Sequence, residues 1–322
     1  MKALSLSGGG SKGAFTGGML QYMKIEKGME FDIYSGTSTG TLLQTLTSLN
    51  KFDLLKEAYT SITLDDIYKI SPFKQGNDPE NPKINLAGLL KMHFVKKEPT
   101  FGDSSNLRDL IAKFFPEELF EESLAAGKTL IAAVSNLDTA KTETYSSRDV
   151  SYEEFCDWTW ISCNAVPFTS LVKRNDMYYA DGGFTEHMPI RKLIEMGATD
   201  ITAITTKPLV YKPANKELGR NPLSLLSRMI DVLLWEASER DLEVVKKMAL
   251  EKDVTLKVYY MPRTLTDNSM YFDKELMSKW WDEGFEHAKE LFDGNKTSTK
   301  HKEAKKCCVT HKFKKAKRVI KS

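Results

Sequence analysis

No apolar run in this chain reaches the roughly 18 residues that would suggest a membrane-spanning helix. Cysteine is scarce, and Cys156, Cys163, Cys307 and Cys308 match neither a zinc-ligand spacing nor a disulfide framework. Reduced thiols are the expected state. No carboxylate cluster suggests a calcium loop, so no metal and no cofactor is expected. The start, Met1-Lys2-Ala3-Leu4-Ser5-Leu6, runs straight into glycines and leaves no room for a signal-peptide core. A cytoplasmic protein is the default expectation. What the chain does have is 41% hydrophobic and 28% charged residues over 322 positions, enough for a well-cored α/β enzyme domain. Its net charge of +2 conceals an asymmetry, since eleven Lys/Arg against the single acid Glu303 lie from Lys296 onward. An acidic body carries a strongly basic tail.

Strand and helix periods alternate from the start. Ala3–Ser7 reads as a strand, Ala14–Met23 as a helix, Phe31–Ser35 as a second strand and Thr39–Leu49 as a second helix. Each strand breaks at glycine before its helix, which predicts an α/β fold with a parallel sheet. Residues 72–82 read as a loop, and Leu86–Phe94 as a small apolar patch, either a lid or a packing turn. Further strands are expected at Thr129–Ser135, Lys141–Tyr145, Tyr178–Ala180, Ile201–Thr205 and Thr255–Tyr260. Helices are expected at Pro189–Met196, Leu223–Leu250 and, last, Lys274–Phe292, whose stripe of Met277, Trp281, Phe285, Ala288 and Phe292 reads as core. From residue 294 the pattern fails and a disordered basic tail is predicted.

Three short motifs carry candidate chemistry. Gly36-Thr37-Ser38-Thr39-Gly40 fits G-x-S-x-G between a strand and a helix, where a tight turn thrusts the Ser38 hydroxyl forward. The helix N-terminus behind it favours developing negative charge. The plain alternative is a serine helix cap. Gly8-Gly9-Gly10-Ser11-Lys12-Gly13 follows the first strand and allows several N–H groups to point into one space, as an oxyanion needs. The same string fits the dinucleotide fingerprint, although the second strand does not end in the acid that holds a ribose. Asp181-Gly182-Gly183 closes a short strand; an Asp before two glycines also serves as an ordinary turn former.

A serine nucleophile needs a base. Of five histidines, His301 and His311 lie in the tail and His93 in an apparent surface insertion, leaving His187 and His287. An α/β-hydrolase sheet needs several strands before its elbow, and too little chain precedes Ser38 for that.

In order and approximate spacing, the three motifs resemble the patatin-like phospholipase family, over roughly residues 1–206. Ser162-Cys163-Asn164-Ala165-Val166-Pro167-Phe168 resembles the family's segment leading to its catalytic Asp. Lys12 stands where Arg is frequent and His187 where Asn is common. The resemblance implies a three-layer α/β/α fold with a mainly parallel central sheet, formed by residues 1–293. It implies a Ser38–Asp181 dyad in place of a triad. The oxyanion site then falls to the Gly8, Gly9, Gly10, Lys12 and Gly13 loop, with Gly9 and Gly10 N–H groups as donors and the Thr39 N–H as an alternative. The implied substrate is a phospholipid or other acyl-ester lipid, cleaved without calcium. An acyltransferase or a non-lipid esterase would use the same residues, and a nucleotide-binding module on the Gly8–Gly13 loop is the reading from another class. The 296–321 tail would suit anionic membranes or stand free in solvent, and a protein activator would be unknown.

Overall fold

A computed structural model describes residues 1–74, 83–214, 222–270, 272–296 and 298–311. Nine strands form its main sheet. They are β1 (Lys2–Leu6), β2 (Ile33–Thr37), β3 (Thr129–Asn136), β4 (Lys141–Ser146), β5 (Val172–Arg174), β6 (Met177–Asp181), β7 (Asp200–Pro208), β8 (Thr255–Met261) and β9 (Cys308–His311). The spatial order is β9-β8-β7-β1-β2-β3-β6-β5, with β4 also on β3. Five strands, β8, β7, β1, β2 and β3, run parallel, and the remaining pairings are antiparallel. The expected mainly parallel sheet is therefore present at the centre, with antiparallel margins.

Alternation along the strands separates two cores. Leu4 and Leu6 of β1, Tyr34 of β2 and Leu130 and Val134 of β3 face one layer. There they meet α1 (Gly13–Gln21), α2 (Thr39–Ser48), α3 (Phe52–Ser61) and the helices Tyr152–Ser162 and Lys274–Asp293. Ala3, Ile33, Ile131 and Ile201 face the other layer, against the helices Ile190–Glu195 and Pro222–Glu251. This is a three-layer α/β/α sandwich. The stripe read as core on Lys274–Asp293 is indeed core: Met277, Trp281 and Ala288 are buried, and Phe285 and Phe292 pack against the same cluster.

One irregularity of the sheet positions the chemistry. Along one edge of β3, Ile131–Asn136 pair with β4. The opposite edge is shared. Parallel β2 occupies it as far as the Thr37↔Ala133 pair, and antiparallel β6 takes over at Asp181↔Val134. The C-terminal ends of β2 and β6 thus meet head to head on consecutive residues of β3.

One expectation changes. The tail predicted to be disordered from residue 294 instead contains a helix, Thr299–Lys306, and the strand β9 on the edge of β8. Burial explains this: His301 and Ala304 tuck under the body, and Cys308 and Val309 supply apolar contacts that a tally of lysines hides. Residues 312–322 of that tail lie outside the described residues. Most of the loop expected at 72–82 does so too, and its flanks Phe73–Lys74 and Lys83–Ile84 pair as a short ribbon.

Candidate active site

β2 ends where Gly36 and Gly40 cross. A Cβ on Gly36 would lie 2.4 Å from Gly40 backbone atoms, so the turn closes only with glycine there. The residue at its apex, Ser38, has φ 54° and ψ −128°, a left-handed-side conformation that a serine avoids unless its surroundings impose it. Such strain is not what a simple helix cap needs. Ser38 makes no side-chain capping bond to α2. It lies close enough to the Asp181 carboxyl to help lower its pKa.

The restraints come from the end of the helix Tyr152–Ser162. The Ser38 N–H donates to Ser162 Oγ at 2.9 Å, and that hydroxyl donates to the Ala133 carbonyl at 2.6 Å. Two residues on, the Asn164 carbonyl accepts the Asp181 N–H at 2.8 Å. One short segment therefore ties the serine and the aspartate to the same strand. The sequence drew attention to this stretch only through its resemblance; the tethering roles of Ser162 and Asn164 are long-range and carry no local signal.

Asp181 is 8% exposed. Its Oδ1 accepts the Gly183 N–H at 2.7 Å, and its carbonyl accepts from Ser135 Oγ at 2.7 Å. Burial pushes its carboxyl up to about 6, against the lowering effect of the Ser38 and Gly183 hydrogen bonds.

The glycine loop passes directly over the elbow. A Cβ on Gly8 would lie 3.1 Å from Ser38 Cβ and 3.8 Å from its Oγ. Gly10, at φ 54°, presses against the Ser269 carbonyl, which also accepts the Ser11 N–H at 3.0 Å. Among the described residues, the N–H groups of Gly9, Gly10 and Thr39 have no acceptor. The Lys12 N–H is spent on the Gly9 carbonyl, and the Gly13 N–H closes its own turn on Gly10 and Ser11. Gly8, Gly9, Gly10, Lys12, Ser38, Thr39 and Asp181 all line one cavity of about 180 Å³, whereas Gly13 does not.

The histidines separate in the same way. His287 packs its ring on Phe15, 5.7 Å between centroids, away from Ser38. His187 lines the cavity, but no bond joins it to Ser38. Asp32, the acid nearest the second strand, accepts the Lys2 N–H at 2.9 Å at the far end of the sheet from the glycine loop.

A family model described as patatin-like phospholipase matches residues 4–194. The chain belongs to that family. It is 22% identical over 283 residues to the "Probable lipid hydrolase 463L" of Invertebrate iridescent virus 6, covering 78% of this chain and 91% of that protein. Among solved structures, VipD from Legionella pneumophila aligns with a TM-score of 0.41 and 14% identity, over 96% of this chain and 67% of that one. In patatin-like terms, residues of the Ser38 turn, the glycine loop and the Asp181-Gly182-Gly183 turn meet at one cavity, with Leu46, Leu55, Ile67, Ile111 and Phe115 also among its lining.

Proposed function

We propose that this patatin-like protein is a lipid acyl hydrolase of the phospholipase A or lysophospholipase type, with Ser38 as nucleophile and Asp181 as general base. Family membership and the viral relative support hydrolysis of lipids. The observation that carries the residue assignment is the strained Ser38, which shares a largely apolar cavity with the buried Asp181 carboxyl.

Ser38 Oγ attacks the ester carbonyl as its proton passes to Asp181. A base whose pKa lies near the working pH combines availability with driving force, and burial moves Asp181 in that direction. The oxyanion takes the unspent N–H groups of Gly9 and Gly10, with Thr39 as the alternative donor; each is worth about 3 kcal/mol in the transition state. Asp181 returns the proton to the leaving alcohol, and the acyl group remains on Ser38. A water deprotonated by Asp181 then releases the fatty acid. No step calls on calcium.

The helix Pro222–Glu251 lies between this cavity and the surface. Ser227, Ile230 and Leu234 line the cavity, while Met229 and Leu233 on the opposite side are 54% and 66% exposed. An apolar outer face on a helix that lines the cavity suits contact with a lipid surface.

The test is labelling by a fluorophosphonate probe together with fatty-acid release from phospholipid vesicles, with and without a calcium chelator. Wild-type labelling, loss of turnover in Ser38→Ala and Asp181→Asn, and indifference to chelation support the reading. Labelling that survives in Ser38→Ala removes Ser38 from its role.

A further inference from the structure

The cavity lining is of two chemical kinds. Its many apolar side chains suit an acyl chain. It also holds Lys12, Lys207, His187 and Asp231, close enough to influence one another's charge, of which the acyl-transfer chemistry uses none.

His187 is 4% exposed, and neither ring nitrogen has a hydrogen-bond partner among the described residues. A buried imidazole costs free energy when both nitrogens go unsatisfied, so a partner that enters the cavity is the economical explanation. Burial, then the neighbouring charges of Lys207 and Lys12, hold its pKa well below the usual histidine range and keep it neutral, with one N–H to donate.

Lys207 sits at the end of β7. Its ammonium donates to the Leu234 carbonyl at 2.6 Å and to Ser238 Oγ at 2.9 Å, and lies 5.6 Å from the centre of the Trp235 ring. An ammonium has three donors, so one remains. Lys12 is 8% exposed, and its side chain forms no hydrogen bond or ion pair with any described residue. Asp231 is the counter-charge here, attracted to both lysines. Among the described residues, the charged ones lining the cavity are, apart from Asp181, these two lysines and Asp231.

We infer that Lys207, His187 and Lys12 form a subsite for a phosphate group carried by the alcohol part of the ester. This rests on the acyl-hydrolase reading: with the carbonyl at Ser38 and the chain among the apolar side chains, the alcohol extends towards these donors. The favoured substrate is then a phosphate-bearing acyl ester in preference to a neutral glyceride.

Lys207 also gives the subsite a pH dependence. Burial and the charge of Lys12 lower its pKa to about 7, against the pull of Asp231, Glu239 and Asp241, with neutral His187 alongside. An incoming phosphate favours the protonated amine, so binding takes up a proton above pH 7 and weakens as pH rises.

The experiment compares kcat/KM for a 1-acyl-glycerol 3-phosphate and a monoacylglycerol of the same chain, in wild type, Lys207→Met, Lys207→Arg and His187→Phe. The two rates are read as a ratio, so a general loss from poor folding cancels. The ratio is expected to fall about tenfold to a hundredfold in Lys207→Met and His187→Phe, and to be held by Lys207→Arg. In parallel, glycerol 3-phosphate and inorganic phosphate are titrated calorimetrically into wild type. Tighter binding of glycerol 3-phosphate, lost in Lys207→Met, marks a head-group subsite. An unchanged ratio in both Lys207→Met and His187→Phe, or equal binding of both anions that Lys207→Met does not alter, overturns the inference. If wild type cleaves neither ester, the hydrolase reading fails on its own and the titration alone decides the subsite.

Discussion

Thr37 pairs with Ala133, and Asp181 pairs with Val134, the next residue along the same edge of the same strand. Two strands arriving from opposite directions thereby place the serine that follows Thr37 against the aspartate that ends β6. The proposed dyad would thus be a product of sheet register.

Ser162 fixes that junction, and its removal has a defined cost. Ser162→Ala leaves the Ser38 N–H without its acceptor and breaks the link to Ala133. An unsatisfied buried donor costs about 1–3 kcal/mol. We expect kcat to fall about tenfold or more with KM little changed, measured by steady-state hydrolysis, while Ser38 still labels with a fluorophosphonate. Unaltered kcat would remove Ser162 from this role.

Asp181 couples activity to stability with opposite signs. Its carboxylate must be ionised to accept a proton, so kcat/KM should climb through about pH 6 and level off above it. Because the fold raises this pKa from 3.8 to about 6, the associated stability is present below pH 3.8 and is lost as pH rises through 6. The shift corresponds to about 3 kcal/mol. Asp181→Asn is expected to lower turnover by about 10²–10⁴-fold and to raise the unfolding midpoint at pH 8. Denaturant melts at pH 5 and pH 8 check the second half, and a less stable variant at pH 8 would contradict it.

The glycine loop separates steric block from collapse. Gly8→Ala brings a methyl to 3.1 Å from Ser38 Cβ at an ordinary φ, so we expect a stability loss of about 1–3 kcal/mol and a disproportionate loss of turnover. Gly10→Ala combines φ 54° with a methyl 2.0 Å from the Ser269 carbonyl, and should cost more than about 3 kcal/mol. Thermal unfolding and activity of the pair distinguish the two. Equal destabilisation would mean that the loop moves as a unit.

The exposed face of Pro222–Glu251 predicts a split between substrates. Met229→Glu with Leu233→Glu should reduce hydrolysis of vesicles about tenfold and leave a short-chain soluble ester unaffected, because both side chains point away from the cavity. Equal loss on both substrates would assign the helix a purely structural part.

Much of this was legible in the chain. Gly36-Thr37-Ser38-Thr39-Gly40 announced a strand–turn–helix because the crossing admits only glycine, and the central strands announced themselves by apolar runs bounded by glycine. Not legible was which carboxylate meets Ser38: that depends on β6 running antiparallel on an edge begun by β2, a non-local pairing. The ties from Ser162 and Asn164 are hidden for the same reason, being single polar contacts between segments 124 and 17 residues away from their partners. Nothing local to Lys207 signals the cavity that it lines. The ordered segment after residue 294 was misjudged because a tally of lysines outweighs two or three buried contacts.

β9 has a practical consequence for anyone shortening the chain. Cys308–His311 covers the outer row of N–H and C=O groups on β8, from Leu256 to Tyr259. Trimming the lysine-rich end at residue 293 in pursuit of a tidier protein would strip that cover. The bared strand would offer itself to any neighbouring chain, and the shortened molecule should associate edge to edge while its cavity, lined by residues before 293, stays intact.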